Sequence, residues 1–153
     1  MGIRIIGIGT IDRGDDAAGL LVARRLRELH IEAAEHDRDG LSLLDAFSGH
    51  DHVILIDAVV TGAPPGSIRY WDAAEAPVVP DPVRGSTHAF GVAEAIQLAR
   101  ALGRMPARIE IYGIEGAQFG VGAAPTLEVA AAVEELAKEI ATRPGPPLAN
   151  GSA

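Results

Sequence analysis

Apolar positions along the chain recur with two different periods, and the change from one to the other marks out the elements. Ile3 to Ile8 is a nearly continuous apolar run broken by Arg4 and Gly7, the pattern of a strand covered on both faces. From Asp16 the period becomes helical. Leu20, Leu21, Ala23, Leu26 and Leu29 fall near one face, with Arg24, Arg25, Arg27 and Glu28 largely on the other, so Asp16 to Leu29 reads as an amphipathic helix. Asp15 is then its N-cap and Asp16 a first-turn acid, both favoured by the helix dipole. Ile31 to His36 predicts a short strand, and Leu41 to Phe47 a short helix entered from the polar DRDG loop. His52 to Ile56 is a compact apolar run closed by Asp57, and Ser67 to Trp71 alternates as a strand after the TGAPPG turn. Ala74 to Gly85 carries three prolines and is expected to be a surface loop leading to Ser86, Thr87 and His88. Val92, Ala95, Ile96, Ala99 and Leu102 repeat at helical spacing before Gly103. Arg108 to Ile114 is strand-like, and Leu127, Val129, Val133, Leu136 and Ile140 trace the apolar face of a last helix. Strands alternating with helices predict an α/β protein, a three-layer α/β/α sandwich around a mainly parallel, possibly mixed, twisted sheet.

Composition narrows the partners. At 153 residues the chain is sized for one domain, assigned to residues 1–142, with the polar, proline-rich tail 143–153 expected to be disordered. A formal net charge of -8 argues against binding phosphate backbones, and 4% aromatics leaves few platforms for stacking bases. Apolar runs fall short of the roughly 20 residues that cross a bilayer, and the strand-like start lacks a signal-peptide pattern. The expectation is therefore a cytoplasmic monomer engaging neither nucleic acid nor membrane. With no cysteines, disulfides, thiolate metal sites and a cysteine nucleophile are all excluded.

In open parallel sheets, sites form outside the carboxyl ends of the strands. That rule gathers the loop after Ile8, the loop beginning at Asp57 and the one carrying His88. The glycine turn GIGTID resembles the start of a dinucleotide fingerprint, but Asp12 stands where the third glycine belongs and would repel pyrophosphate. Each candidate has an ordinary reading beside the chemical one. Asp15 and Asp16 are caps or ligands; Asp57 is a turn residue or a carboxylate held at a strand end by a cation; His88 is a packed turn residue or a neutral ligand at a helix start. The other four histidines are read as solvated surface residues. Taken together, two carboxylates and an imidazole make an oxygen–oxygen–nitrogen set with open positions for a divalent metal. No G-x-S-x-G, H-E-x-x-H or P-loop is present.

The blocks GIGTIDRGDDAAG, RDGLSLLDAF, VILIDAV with PPGSIRYW, STHAFGVAEAIQLARALGRMP and IEIYGIEG, in this order from Ile3 to about Ile140, resemble the nickel–iron hydrogenase maturation endopeptidases. The resemblance implies a phosphorylase/hydrolase-like fold and a peptidase, classed as aspartyl-type, that removes a C-terminal extension from the nickel-loaded hydrogenase large-subunit precursor. By motif, the nickel-recognition and catalytic residues fall on Asp16, Asp57 and His88. The residues implicated in substrate recognition fall on Asp39 and Gly40, with Leu41 replacing a second glycine. Nickel would then arrive as part of the precursor. Two rivals stand beside this reading: a non-catalytic nickel- or precursor-binding accessory protein, and a divalent-metal hydrolase of small molecules.

Overall fold

The computed structural model describes residues 3–37, 40–47, 49–73 and 92–143. In chain order the elements are β1 (Ile3–Ile8), a 3-10 turn (Gly14–Ala17), α1 (Ala18–Glu28), β2 (Ala34–His36), α2 (Gly40–Phe47), β3 (His52–Val59), β4 (Ile68–Asp72), α3 (Val92–Ala101), β5 (Arg108–Glu115) and α4 (Leu127–Thr142). The strands form one sheet in the order β2-β1-β3-β5-β4. The first four run parallel and only β4 is antiparallel, paired to β5. The sheet is thus mixed, with the antiparallel strand at an edge.

Strand alternation sorts the core into two layers. On one face, Ile5, Ile54, Ile56, Tyr112 and Ile114 meet Val22 and Leu26 of α1 and Val129, Leu136 and Ile140 of α4. On the other, Ile6, Ile8, Val53, Leu55, Ile109 and Ile111 meet Leu43, Leu44 and Phe47 of α2 and Ile96 of α3. The continuous apolar runs of β1, β3 and β5 are the consequence, because each of these strands is covered on both sides.

Helix α1 lies unusually close to the sheet. A Cβ on Gly19 would stand 2.2 Å from the carbonyl oxygen of Ile56 and 2.3 Å from that of Ile8. Only glycine permits that approach. It brings the segment that follows β1 directly over the ends of both β1 and β3.

Several sequence expectations need correction. The helix expected from Asp16 starts at Ala18, because Gly14–Ala17 forms a separate 3-10 turn, and Asp15 caps nothing there. The strand expected over Ile31 to His36 contracts to Ala34–His36. Asp57 does not close its strand: β3 continues to Val59, with Asp57 opposite Gly113 of β5. Leu127 opens α4 but is 85% exposed, so the apolar face begins only at Val129. The proline-rich loop, His88 and the tail beyond Arg143 lie outside the described residues. No helix of the described residues is long and apolar enough to cross a membrane.

Candidate active site

Asp16 and Asp57 reach the same edge of the sheet by different routes. β1 and β3 are neighbours in parallel register, with Gly7 opposite Ile56. Asp57 is one step beyond that pair, and the turn after β1 folds back to the same level. That return is fixed by backbone contacts. The Gly9 amide donates to the His36 carbonyl at 3.1 Å and the Thr10 amide to the Asp16 carbonyl at 3.3 Å. The 3-10 turn carrying Asp16 packs against β3.

Both side chains belong to buried residues: Asp16 is 3% exposed and Asp57 6%. Asp57 Oδ1 accepts the Ala58 amide at 2.8 Å. By alternation Asp57 shares the face of Val53 and Leu55, the face covered by α2 and α3. Two buried carboxylates on one side of a sheet are costly unless cations or donors meet them. An arrangement of this kind can bind a divalent cation or hold a water for attack on a carbonyl.

The remaining sequence-derived candidates divide. Gly40 is the first residue of α2. Asp39 and His88 lie outside the described residues. Among the described residues, which do not include His88, no three His, Cys, Asp or Glu side chains gather as a metal ion requires.

Two further carboxylates frame this edge, and the sequence reading gave neither its actual role. Asp15 is fully buried and receives four donors from the connection between β5 and α4. Its Oδ2 accepts the amides of Ala117 at 2.8 Å and Gln118 at 3.0 Å, and its Oδ1 accepts the Thr126 amide at 2.7 Å and the Thr126 hydroxyl at 3.1 Å. Burial pushes this carboxyl up, but those donors outweigh it and hold it below the usual aspartate range. Glu115, 2% exposed at the end of β5, accepts the Thr61 amide at 2.8 Å, the Thr61 hydroxyl at 2.7 Å and the Gly62 amide at 3.2 Å. It closes the turn after β3. No local pattern pointed to this role of Asp15, because its donors lie more than 100 residues downstream.

A family model described as hydrogenase maturation protease, HycI, matches residues 38–143, more than two thirds of the chain. The chain belongs to the hydrogenase maturation protease family. It is 27% identical over 136 residues to the hydrogenase 2 maturation protease of Escherichia coli K12, a match covering 84% of this chain and 82% of that protein. The fold agrees with two solved members. The maturating endopeptidase HybD from E. coli superposes with a TM-score of 0.75 at 23% identity, covering 92% of this chain and 90% of that one. The maturation protease HycI from Thermococcus kodakarensis KOD1 gives 0.67 at 26% identity with the same coverage. The three-layer sandwich is therefore that of the hydrogenase maturation proteases, and the chain is a peptidase of that family.

Proposed function

We propose that this maturation protease cleaves the C-terminal extension from a hydrogenase large-subunit precursor after reading its nickel through Asp16, Asp57 and His88. The observation that supports the reading is that two buried carboxylates, Asp16 in the turn after β1 and Asp57 near the end of β3, stand toward the carboxyl edge of adjacent parallel strands. His88 stands four residues before α3, and α3 packs on the same sheet face that Asp57 shares. Oxygen and nitrogen ligands without thiolate give modest affinity for free nickel, so the precursor supplies the metal as part of the substrate. Asp39 and Gly40, at the entry to α2, engage the precursor itself.

The test is processing of nickel-loaded precursor by Asp16→Asn, Asp57→Asn and His88→Ala, followed by mass spectrometry of its C-terminus. Each variant is expected to stay folded and to slow cleavage by about 100-fold or more. Wild-type cleavage by all three folded variants would refute the reading. An intact precursor that the wild-type protein binds but never shortens would favour a non-catalytic accessory role.

A further inference from the structure

One row of the sheet carries an acid at one end and a base at the other. Gly113 of β5 stands opposite Asp57 of β3 on one side and opposite Arg69 of β4 on the other, so Asp57 and Arg69 share one sheet face. A Cβ on Gly113 would stand 2.8 Å from Val59 Cγ1 and 3.0 Å from Trp71 Cζ3. Val59 and Trp71, both half-buried, thus close over the glycine, and the stretch between acid and base is apolar. Two strand spacings, about 10 Å, separate the backbones of Asp57 and Arg69.

Arg69 is exposed but held. Its Nη1 donates to the Thr61 hydroxyl at 2.8 Å, and its Cζ lies 5.8 Å from the centre of the Trp71 ring. Thr61 is fixed in turn, since its amide and hydroxyl donate to buried Glu115. Arg24, Arg25, Arg27, Arg104, Arg108 and Arg143 all pair with carboxylates of the protein itself. Arg69 pairs with none among the described residues, which leaves most of its planar donor fork to a carboxylate from outside. In a chain of net charge -8, a cation without an internal counter-ion beside the candidate site stands to gain one from a docking partner. We infer that Arg69 is a specificity-determining residue that binds a carboxylate of the precursor segment being removed, with Val59 and Trp71 lying under the residues in between. The inference rests on the site reading above for the identity of the partner. A span of about 10 Å corresponds to roughly three residues of extended peptide between the metal-reading end and that carboxylate. Either an acidic side chain or the terminal carboxylate of the extension supplies this chemistry.

Steady-state cleavage of nickel-loaded precursor tests the contact as a double-mutant cycle. Arg69→Gln is expected to stay folded, because the side chain is exposed, and to raise KM about tenfold with kcat within about twofold, an effect that shrinks in high salt. The precursor is also prepared with each acidic side chain of the extension converted in turn to its amide, and with a C-terminal amide. One of these should show the same tenfold penalty with the wild-type protein and no further penalty with Arg69→Gln. Which one it is tells a side chain from the chain terminus. A wild-type KM in folded Arg69→Gln would overturn the inference. So would a penalty that simply adds to that of every neutralised precursor, since Arg69 would then only brace the turn at Thr61. If Asp16→Asn and Asp57→Asn cleave normally while the coupling remains, the site reading fails and the Arg69 contact stands; if they fail to cleave while Arg69→Gln is unimpaired, only the contact is lost.

Discussion

Glu110 offers a quantitative test of how the end of the sheet opposite the candidate site is held together. Its carboxylate, 1% exposed, accepts the Tyr70 hydroxyl at 2.6 Å and Arg143 Nη2 at 2.9 and 3.2 Å, bonds to the His52 ring, and lies 3.6 Å from Arg108 Nη2. It projects to the α1/α4 face, three positions along β5 from the residue opposite Asp57, which is about 10 Å at strand rise. Replacing Glu110 by Gln removes the charge and turns an amide toward at least one donor. Losing one partner of a buried pair costs about 3–5 kcal/mol, but Arg143 is 21% exposed and can regain water, so about 3 kcal/mol is expected. In a domain of this size that lowers the melting temperature by roughly 6–12 °C. Burial pushes the Glu110 carboxyl up, yet Tyr70, Arg143 and His52 outweigh it and hold it below the ordinary 4.5. Its contribution is therefore present above the unfolded value and is lost as pH falls through the folded one. Urea titrations at pH 7 and about pH 3 should show a gap between wild type and Glu110→Gln that narrows in acid. Precursor cleavage at 25 °C should stay within about twofold, because the site is remote. A gap under about 1 kcal/mol at neutral pH, or one as wide in acid, would refute this account.

Two other substitutions separate framework from surface. Gly19→Ala sets a Cβ against two strand carbonyls, and the shift of α1 away from β1 and β3 should cost about 3 kcal/mol and abolish cleavage, read by chemical denaturation and the processing assay. Arg25 joins α1 to α4 by pairing Nε with Glu134 Oε1 at 2.9 Å on a substantially exposed surface, so Arg25→Ala should move the urea midpoint only slightly, and the shift should shrink in high salt.

What the sequence made legible was whatever depends on near neighbours. The runs in β1, β3 and β5 announced strands buried on both faces, and the helical spacing of Val92 to Ala99 marked α3. The errors have one physical source, which is partners far away in the chain. Asp15 looked like a cap because its donors lie 102 to 111 residues downstream. His52, read as a surface residue, is instead bonded to buried Glu110, 58 residues away. β3 runs past Asp57 because β5 continues to pair with it as far as Val59 and Glu115, and the lone acid at position 57 hid the apolar continuation through Ala58 and Val59. At the candidate site, the rule for parallel sheets pointed to the side of the sheet where Asp16, in the turn after β1, and Asp57, two residues before the end of β3, are found. The joining of the 116–126 connection to the turn before them does not follow from any local pattern.

The distribution of buried acids ties these observations together. Among the described residues the buried carboxylates are Asp15, Asp16, Asp57, Glu110 and Glu115. Four of the five stand at the carboxyl end of the sheet, in a protein of net charge -8. Gathering so much negative potential at one edge works against folding unless that edge has compensation. For Asp15 and Glu115 the compensation is structural, supplied by the amides of flanking loops, and each bond that satisfies a carboxylate also fixes a loop beside Asp16 or Asp57. The frame is thereby kept rigid by the same acids that deepen its negative field. The substrate proposed above, a peptide segment bearing a nickel ion, would match both properties, because a preformed edge lowers the ordering cost of docking and the field favours a cation.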